Sequence, residues 1–424
     1  MRWIARRKSA LIRASSAAAA AASVRMTARA SSSTPSWLRA RGFISKPDCG
    51  RFGPRPAIAA APPPSRADAG APGLRAYCAP VNTPLETTSD ARTRALAAWC
   101  AVVLPSARHL RPASDDASFR RYFRVDSEVG PRVLLDAPPE LEPLAPWLEH
   151  SGRLASAGVR VPRVDAVDEQ QGYVLMEDFG ELVYLPVLAT GDNDQLYDAA
   201  LRTLLRMQLH AEARDLPEYD HQRLQAEIDL FPHWLLERHL GMPLSPARRA
   251  LWVRVCSRLI GNALAQPQVY VHRDYHSRNL TPPAGPDGEP GVLDFQDALR
   301  GPITYDLASL LRDCYVAWPE AYVRRLALDY RGRLVAAGAV PTPSEAVWLE
   351  WFDLMGVQRH LKAAGIFCRL YHRDGKARYL ADIPRVLAYL ERVCATCPEL
   401  ADFAGFIGEE VLPAWRTSAA PQPV

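Results

Sequence analysis

The chain has 424 residues, of which 48% are hydrophobic and 23% charged, as is ordinary for a globular protein with a sizeable core. Its net charge of +4 hides an asymmetry. Residues 1–80 hold 14 of the 51 Lys and Arg residues but 2 of the 47 Asp and Glu residues, so the remainder carries a net charge of −8. Because a nucleic-acid-binding protein needs a basic face, we expect no nucleic-acid partner.

Cysteine usage and hydropathy narrow the class further. Eight scattered cysteines do not indicate a disulfide scaffold, and free thiols fit a reducing cytosol. No stretch of about 18 or more apolar residues is present, so we expect no membrane span and no membrane partner. These features favour a cytoplasmic protein.

Residues 1–84 are rich in Ala, Arg, Ser and Pro and show no periodic apolar pattern, so we expect them to be a disordered extension. Three interpretations are open. The segment is an organelle transit peptide, or an export signal with Arg6-Arg7 before an alanine run, or the product of a start codon assigned too far upstream. We favour the third, because everything after residue 85 reads as a cytosolic enzyme.

The folded part begins with a mixture of helix and strand patterns. Helical spacing predicts helices at Asp90–Leu104 and Pro146–Ala157. Strands are predicted at Arg120–Val125, Arg132–Leu135 and Tyr173–Met176. Residues 85–180 are therefore predicted to form a small β-rich N-lobe that binds nucleotide.

Helical patterns dominate after residue 180. Helices are predicted at Asp198–His210, Trp234–Leu240, Ala247–Leu264, Tyr305–Tyr315, Ala321–Ala337, Ser344–Leu370 and Ile383–Val393. Val269–Val271 and Gly291–Leu293 flank a Pro/Gly-rich turn and are predicted to pair with each other. We therefore expect an α+β fold of two lobes, with a larger helical C-lobe at 181–415, a flexible tail at 416–424, and a ligand cleft between the lobes.

The strongest functional signal is the stretch VHRDYHSRNL at 271–280, which directly follows a predicted strand. It contains Asp274 and Asn279, and Asp294 stands at the end of a later predicted strand. Phosphoryl transfer needs a group that accepts the hydroxyl proton, which Asp274 can be, and Mg²⁺ needs oxygen ligands, which Asn279 and Asp294 offer. Arg278 of the same loop joins the candidate catalytic residues. A second His-Arg-Asp at 372–374 lacks both metal partners, so it is a decoy.

Asp306 stands at the start of the helix that follows these motifs. A carboxylate in that position is favoured by the helix dipole. The sequence leaves two roles open for it, a helix cap only or a brace for the catalytic loop.

These motifs resemble the aminoglycoside phosphotransferase-like kinases, and the resemblance continues through VLDFQDALRGPITYDLASLLRDCYVAWP at 292–319. More narrowly, Asp116–Arg124, Leu135–Glu140, Phe352–Lys362 and Gly365–Lys376 look like bacterial kinases that phosphorylate N-acetylmuramate and N-acetylglucosamine at C1 in peptidoglycan recycling. The similarity covers about residues 88–415. It implies a protein-kinase-like fold and an amino-sugar kinase that uses ATP and Mg²⁺, active as a monomer.

The resemblance also implies roles for particular residues. Asp274 would be the base, and Asn279 and Asp294 the Mg²⁺ ligands. The backbone near Glu177 and Asp178 would face the adenine in a hinge between the lobes. An edge strand entering a turn would give the same sequence there.

One departure from the protein-kinase pattern concerns the phosphate-binding cation. The chain has no lysine between Lys46 and Lys362, and the strand that should carry one ends in Asp136. The glycine-rich loop is replaced by a stretch containing Ser118, whose turn can still offer N–H groups to phosphate. We expect Arg120 or Arg121 to supply the missing cation, although for either residue alone a place on a solvated hairpin face is the simpler interpretation.

N-acetylmuramate carries a lactyl carboxylate, so its pocket would profit from a cation. Arg359 and Lys362 are candidates, although such charges are more often solvated. Arg312, Asp313 and Tyr315 follow the catalytic motifs and resemble sugar-contacting residues.

Two rival functions remain open from the sequence. In the first, the enzyme phosphorylates an aminoglycoside, choline or a similar hydroxyl compound. The basic residues at 359–373 argue mildly against a polycationic aminoglycoside. Alternatively, the chain is a pseudokinase that binds without catalysis, as the missing strand lysine suggests. The presence of Asp274, Asn279 and Asp294 together argues for an enzyme.

Overall fold

The computed structural model describes residues 90–114, 119–190, 193–283, 285, 288–338 and 341–418. The predicted extension at 1–84 lies outside these residues, as do residues 419–424 of the predicted tail. No helix among the described residues is long and apolar enough to cross a membrane.

The N-lobe is built on a five-stranded antiparallel sheet with strand order β1-β2-β3-β5-β4. The strands are β1 (Arg108–Ser114), β2 (Arg121–Asp126), β3 (Arg132–Asp136), β4 (Val164–Asp168) and β5 (Tyr173–Glu177). The three predicted strands are confirmed as the central ones. The sequence did not predict β1 and β4, which are the two edges, where a strand is half solvated and needs few apolar residues.

Two helices cover the two faces of this sheet. Helix α1 (Ala91–Val103) begins at Asp90, whose carboxylate accepts a hydrogen bond from the Thr93 N–H at 2.7 Å, so the predicted first helix is confirmed. Helix α1 packs on one face through Leu96 and Cys100. Helix α2 (Leu144–Ser156) buries Trp147 and Leu154 in the larger core that continues into the C-lobe.

The C-lobe is mainly helical, as predicted. Its helices are α3 (Tyr184–Leu188), α4 (Asn193–His210), α5 (His221–Ile228), a π-helix (Phe231–His239), α6 (Pro246–Leu264), α7 (Tyr305–Leu311), α8 (Glu320–Ala337), α9 (Glu345–Asp374), α10 (Ile383–Ala395), α11 (Ala401–Phe406), a second π-helix (Ile407–Val411) and α12 (Leu412–Thr417), with short 3₁₀ turns at Ala377–Asp382 and Pro398–Leu400. The 30-residue helix α9 runs through the core. At Gly365 a Cβ atom would lie 2.4 Å from the backbone of Leu230, so only glycine lets α9 approach this closely.

The predicted pairing of Val269–Val271 with Gly291–Leu293 is wrong. Strand β6 (Gln268–Val271) pairs with β9 (Leu299–Pro302), and β7 (Leu280–Thr281) pairs with β8 (Gly291–Val292). The predicted turn therefore belongs to the β7–β8 hairpin. Apolar runs as short as these carry no information on which partner they choose.

A buried carboxylate joins α1 to the sheet. Asp136, at the end of β3, is fully buried and accepts from Arg92 Nε at 2.6 Å and from Arg121 Nη2 at 2.6 Å. Arg121 also contacts Asp90 at 2.5 Å. Arg121 and Phe123 are two residues apart on β2 and therefore lie on the same face of the sheet. Because Phe123 packs against α1, the Arg121 guanidinium lies on the α1 face.

Asp136→Ala should leave two arginines without their shared carboxylate. We expect the free energy of unfolding to fall by about 2–3 kcal/mol, less than for a fully buried pair because the arginine side chains are 28% and 34% exposed. Urea unfolding measures this change. The matched control is Asp126→Ala, which removes a half-exposed partner of Arg111 and should cost less than about 1 kcal/mol. Equal losses in the two variants would contradict the structural role given to Asp136.

Candidate active site

The loop between β6 and β7 is held from below by Asp306, the second residue of α7. Its Oδ2 accepts a hydrogen bond from the His272 N–H at 2.7 Å, and its Oδ1 accepts one from the Arg273 N–H at 2.9 Å. Burial raises the pKa of Asp306 to about 7, while these two N–H groups favour the ionised form. Asp306 therefore braces the catalytic loop, which decides between the two roles left open by the sequence.

This loop brings together three of the four predicted catalytic residues: Asp274, Asn279 and Asp294. Asn279 Nδ2 lies 3.0 Å from the carbonyl oxygen of Asp274 and 3.3 Å from Asp294 Oδ2. The Leu293 N–H donates to the Asn279 carbonyl at 2.9 Å, which fixes the two metal-ligand candidates side by side. Asp294 has a φ of +63°, a left-handed backbone that a non-glycine residue adopts at a cost of about 1–3 kcal/mol and that is common at active sites.

The oxygen atoms at this point suit a hard cation. Mg²⁺ is usually held by one or two carboxylates together with phosphate oxygens and water. Asp294 and Asn279 supply such a partial set, and Gln296 Nε2 orients the carboxylate by donating to Asp294 Oδ1 at 2.6 Å. No cluster of three or more His, Cys, Asp or Glu able to hold a metal occurs among the described residues. The donor set therefore fits a metal that arrives with phosphate.

Asp274 lies among positive charges. Burial alone would raise its pKa, but the charges of Lys362 and Arg273 outweigh burial and lower the pKa of Asp274 to about 2. The carboxylate is therefore ionised and ready to accept a hydrogen bond at neutral pH. Two of the cations are themselves fixed by Glu227, which contacts Arg273 and lies 3.2 Å from Lys362 Nζ.

Asp274 opens onto a cavity of about 90 Å³ on the C-lobe side. Its walls contain both polar and apolar side chains. The lining residues are Asp274, His276, Tyr305, Cys314, Tyr315, Arg359, Lys362, Ala363, Ile366 and Phe367. A hydroxyl compound bound here would lie against the carboxylate of Asp274.

The candidate acceptor residues divide into two groups. Tyr315, Arg359 and Lys362 line the cavity. Asp313 is not among the lining residues, and its carboxylate accepts hydrogen bonds from the N–H groups of Ser277 and Tyr315, both at 2.9 Å.

Arg312 does not line the cavity. Its side chain is fully buried and pairs with Glu320 at 2.7 Å and Asp353 at 2.6 Å. These contacts favour a structural role for Arg312. The guanidinium carbon of Arg278 lies 3.6 Å from the centre of the Tyr315 ring, so Arg278 packs on a ring that lines the cavity.

The nucleotide-side candidates are also separated by the fold. Arg120 contacts Glu142 at 2.9 Å, whereas Arg121 is bound to Asp136 on the α1 face. Ser118 lies outside the described residues.

The predicted hinge contains Glu177, the last residue of β5, and Asp178, whose carboxylate accepts from Arg124 Nε and the Gly180 N–H, both at 2.8 Å. These contacts fix the chain as it leaves the N-lobe sheet. Because the Asp178 side chain is engaged in these contacts, the predicted adenine contact would have to come from the backbone.

Three residues of the site were missed by sequence reasoning. Glu227 comes from α5, about 50 residues before the motif, and nothing in its neighbourhood marks it. Gly291 has a detectable signal, being a glycine inside a predicted strand. A Cβ there would lie 2.4 Å from the Phe179 ring, so this glycine lets the hinge rest on the β7–β8 hairpin. His276 stands within the motif itself and could have been singled out there.

Comparison with known proteins decides the family. A family model of phosphotransferase enzymes (APH) matches residues 109–339, more than half of the chain, including Asp274, Asn279 and Asp294. The chain belongs to this family. The resemblance drawn from the motifs is thereby confirmed, and the pseudokinase alternative gives way to an enzyme.

Within the phosphotransferase family, the chain is similar to two kinases over nearly their full length. The chain is 46% identical over 326 residues to the N-acetylmuramate/N-acetylglucosamine kinase of Pseudomonas aeruginosa, covering 74% of this chain and 96% of that one. It is 41% identical to the kinase of the same name from Neisseria meningitidis, over 74% of this chain and 94% of that one.

Solved structures agree on the fold of this phosphotransferase. A choline kinase from Streptococcus pneumoniae superposes with a TM-score of 0.51 at 12% identity, covering 70% of this chain and 98% of that one. An ethanolamine kinase from Plasmodium vivax superposes with a TM-score of 0.50 at 11% identity, over 68% and 82%. The expected protein-kinase-like α+β fold is confirmed.

Asp306→Ala should leave two buried N–H groups of the catalytic loop without an acceptor. We expect a loss of about 2–4 kcal/mol in the free energy of unfolding, and a fall of at least about tenfold in kcat, because the loop carries Asp274. Asp306→Asn retains one acceptor oxygen and should lie between the two.

Urea unfolding and steady-state kinetics on the same samples measure both effects. Ser309→Ala, in the same helix, is the control, because the buried Ser309 hydroxyl has no hydrogen-bond partner among the residues that the structure describes. Loss of activity in the Ser309 variant as large as in Asp306→Ala would show that any change in α7 disturbs the site.

Proposed function

We propose that this phosphotransferase is an ATP- and Mg²⁺-dependent kinase that phosphorylates the anomeric (C1) hydroxyl of N-acetylmuramate and N-acetylglucosamine. The supporting observation is that Asp274, beside Asn279 and Asp294, opens onto a cavity that also holds two cations. The names of the relatives that match over most of their length support the same acceptors. We further propose a role in peptidoglycan recycling, in the cytoplasm, as a monomer with lobes at 85–180 and 181–415.

Asp274 acts on the acceptor. Its carboxylate accepts the hydrogen bond of the C1 hydroxyl, orients that oxygen toward the γ-phosphorus of ATP, and takes the proton as the new O–P bond forms and the bond to ADP breaks. A weakly basic carboxylate is adequate, because the transition state of phosphoryl transfer is loose and needs orientation more than deprotonation. The braced loop supplies that orientation.

Asn279 and Asp294 would hold Mg²⁺. The ion, when bound, neutralises charge on the phosphate oxygens. Gln296 orients the Asp294 carboxylate, the Leu293 N–H holds the backbone of Asn279 beside it, and Asn279 Nδ2 lies 3.3 Å from Asp294 Oδ2.

The charge of the cavity favours an acidic or neutral acceptor over a polycation. Arg359 and Lys362 line it, and the one acidic side chain among the lining residues is Asp274. An aminoglycoside would bring several ammonium groups against these two cations, which costs free energy in a site of low dielectric constant.

A panel of sugars and amino alcohols with ATP and Mg²⁺ tests the proposal. We expect turnover with N-acetylmuramate and N-acetylglucosamine, and phosphorus-coupled NMR of the product should locate phosphate on C1. Asp274→Asn should lower kcat by about 10²–10⁴-fold while the dissociation constant of ATP changes little. Turnover with kanamycin or choline but with neither sugar would overturn the assignment, as would phosphate on C6.

Arg120→Ala and Arg121→Ala should separate the two candidates for the phosphate cation. Arg120 contacts Glu142 and takes no part in the Asp136 contacts, so we expect it to be the phosphate cation, and its loss should raise the KM for ATP by about tenfold. Arg121 is committed to Asp136 and Asp90, so Arg121→Ala should act on stability and leave the KM for ATP within about twofold. Steady-state kinetics at varied ATP checks this, and a raised KM in the Arg121 variant alone would reverse the assignment.

A further inference from the structure

Arg359 is a buried cation with a weak partner. Its side chain lines the cavity beside Asp274, and the residue is only 6% exposed. Its Nη1 donates to Cys314 Sγ at 3.2 Å, and it forms no ion pair with any carboxylate that the structure describes. A thiol is a poor acceptor for a guanidinium, and a buried charge is costly unless it is paired.

Lys362, one helical turn further along α9, has the opposite surroundings. Its Nζ lies 3.2 Å from Glu227 and 3.1 Å from the Tyr305 hydroxyl. The charge of Lys362 is therefore already balanced within the protein. Of the two cations in the cavity, Arg359 is the one whose fork-shaped guanidinium remains available for an anion.

The other polar groups around Arg359 do not compete for it. The Asp313 carboxylate is occupied by two backbone N–H groups. His276 is 7% exposed, and burial lowers its pKa, which favours the neutral ring. Within the described part of the chain, its Nδ1 has no hydrogen-bond partner. The cavity thus holds two buried polar side chains, Arg359 and His276, whose hydrogen-bonding capacity the protein itself does not fill.

We propose that Arg359 binds the lactyl carboxylate of N-acetylmuramate and so favours this sugar over N-acetylglucosamine, which has a hydroxyl at that position. The inference rests on the proposed function. The adjoining wall suits the same group: Ala363 and Ile366 follow Arg359 at the i+4 and i+7 positions of α9, so they present an apolar surface to the lactyl methyl.

The test uses three acceptors on the wild-type protein and on Arg359→Met: N-acetylmuramate, its neutral carboxamide and N-acetylglucosamine. We expect wild-type kcat/KM for the acid to exceed that for the amide by about 10- to 100-fold, the range for a hydrogen bond to a charged group. In Arg359→Met this ratio should fall to near one, mainly through a higher KM for the acid. Lys362→Met is the comparison variant and should lower kcat/KM for all three acceptors by a similar factor.

Each result decides. If the wild-type protein phosphorylates both sugars but treats acid and amide alike, or if Arg359→Met lowers all three acceptors equally, the inference about Arg359 is overturned and the proposed function stands. If the wild-type protein phosphorylates none of the three, the proposed function itself fails. Should Arg359→Met not fold, Arg359→Lys takes its place, because it keeps a charge but loses the fork-shaped pair of donors. The acid-to-amide ratio should then fall below the wild-type value, and an unchanged ratio would overturn the inference.

Discussion

The carboxylate of Asp306 binds two successive backbone N–H groups of the catalytic loop, and the geometry of the site depends on that contact. The contact fixes the residues just before Asp274, one of which, Arg273, has a left-handed φ of +78°. A loop in this conformation is strained and would relax without an outside restraint. From this loop, Asn279 reaches Asp294, so the buried side chain of Asp306 holds the loop that carries the candidate base and one of the two metal-ligand candidates.

A second set of contacts connects this site to the N-lobe. The Val292 N–H, on the β7–β8 hairpin, donates to the carbonyl of Arg160 at 2.8 Å, and the Phe179 ring rests on Gly291 of the same hairpin. The segment that carries Asp294 is therefore in direct contact with the hinge. Movement of one lobe relative to the other would be transmitted to Asp294 directly, through the Val292–Arg160 backbone hydrogen bond and the Phe179–Gly291 contact.

Sequence reasoning predicted the parts that depend on local pattern. The motif around Asp274 and the amphipathic helices belong to this class, because spacing along the chain sets them directly. What it could not predict depends on long-range packing: the partner of a short strand, Glu227 reaching the site from α5, and the burial of Arg312 against Glu320 and Asp353. Charge runs are usually solvated, yet Arg359 and Lys362 lie inside the protein, because α9 is buried on nearly all sides.

Helix α9 carries the two cations of the cavity, Arg359 and Lys362, and also packs against most of the C-lobe. A helix turns by about 100° per residue, so a single insertion or deletion before Arg359 would rotate it out of the cavity and displace a buried face at once. Loops commonly acquire new ligands through insertions and deletions, but this helical wall of the cavity does not tolerate them. Relatives with this architecture can diverge in acceptor choice here only by exchanging one side chain for another at a fixed position.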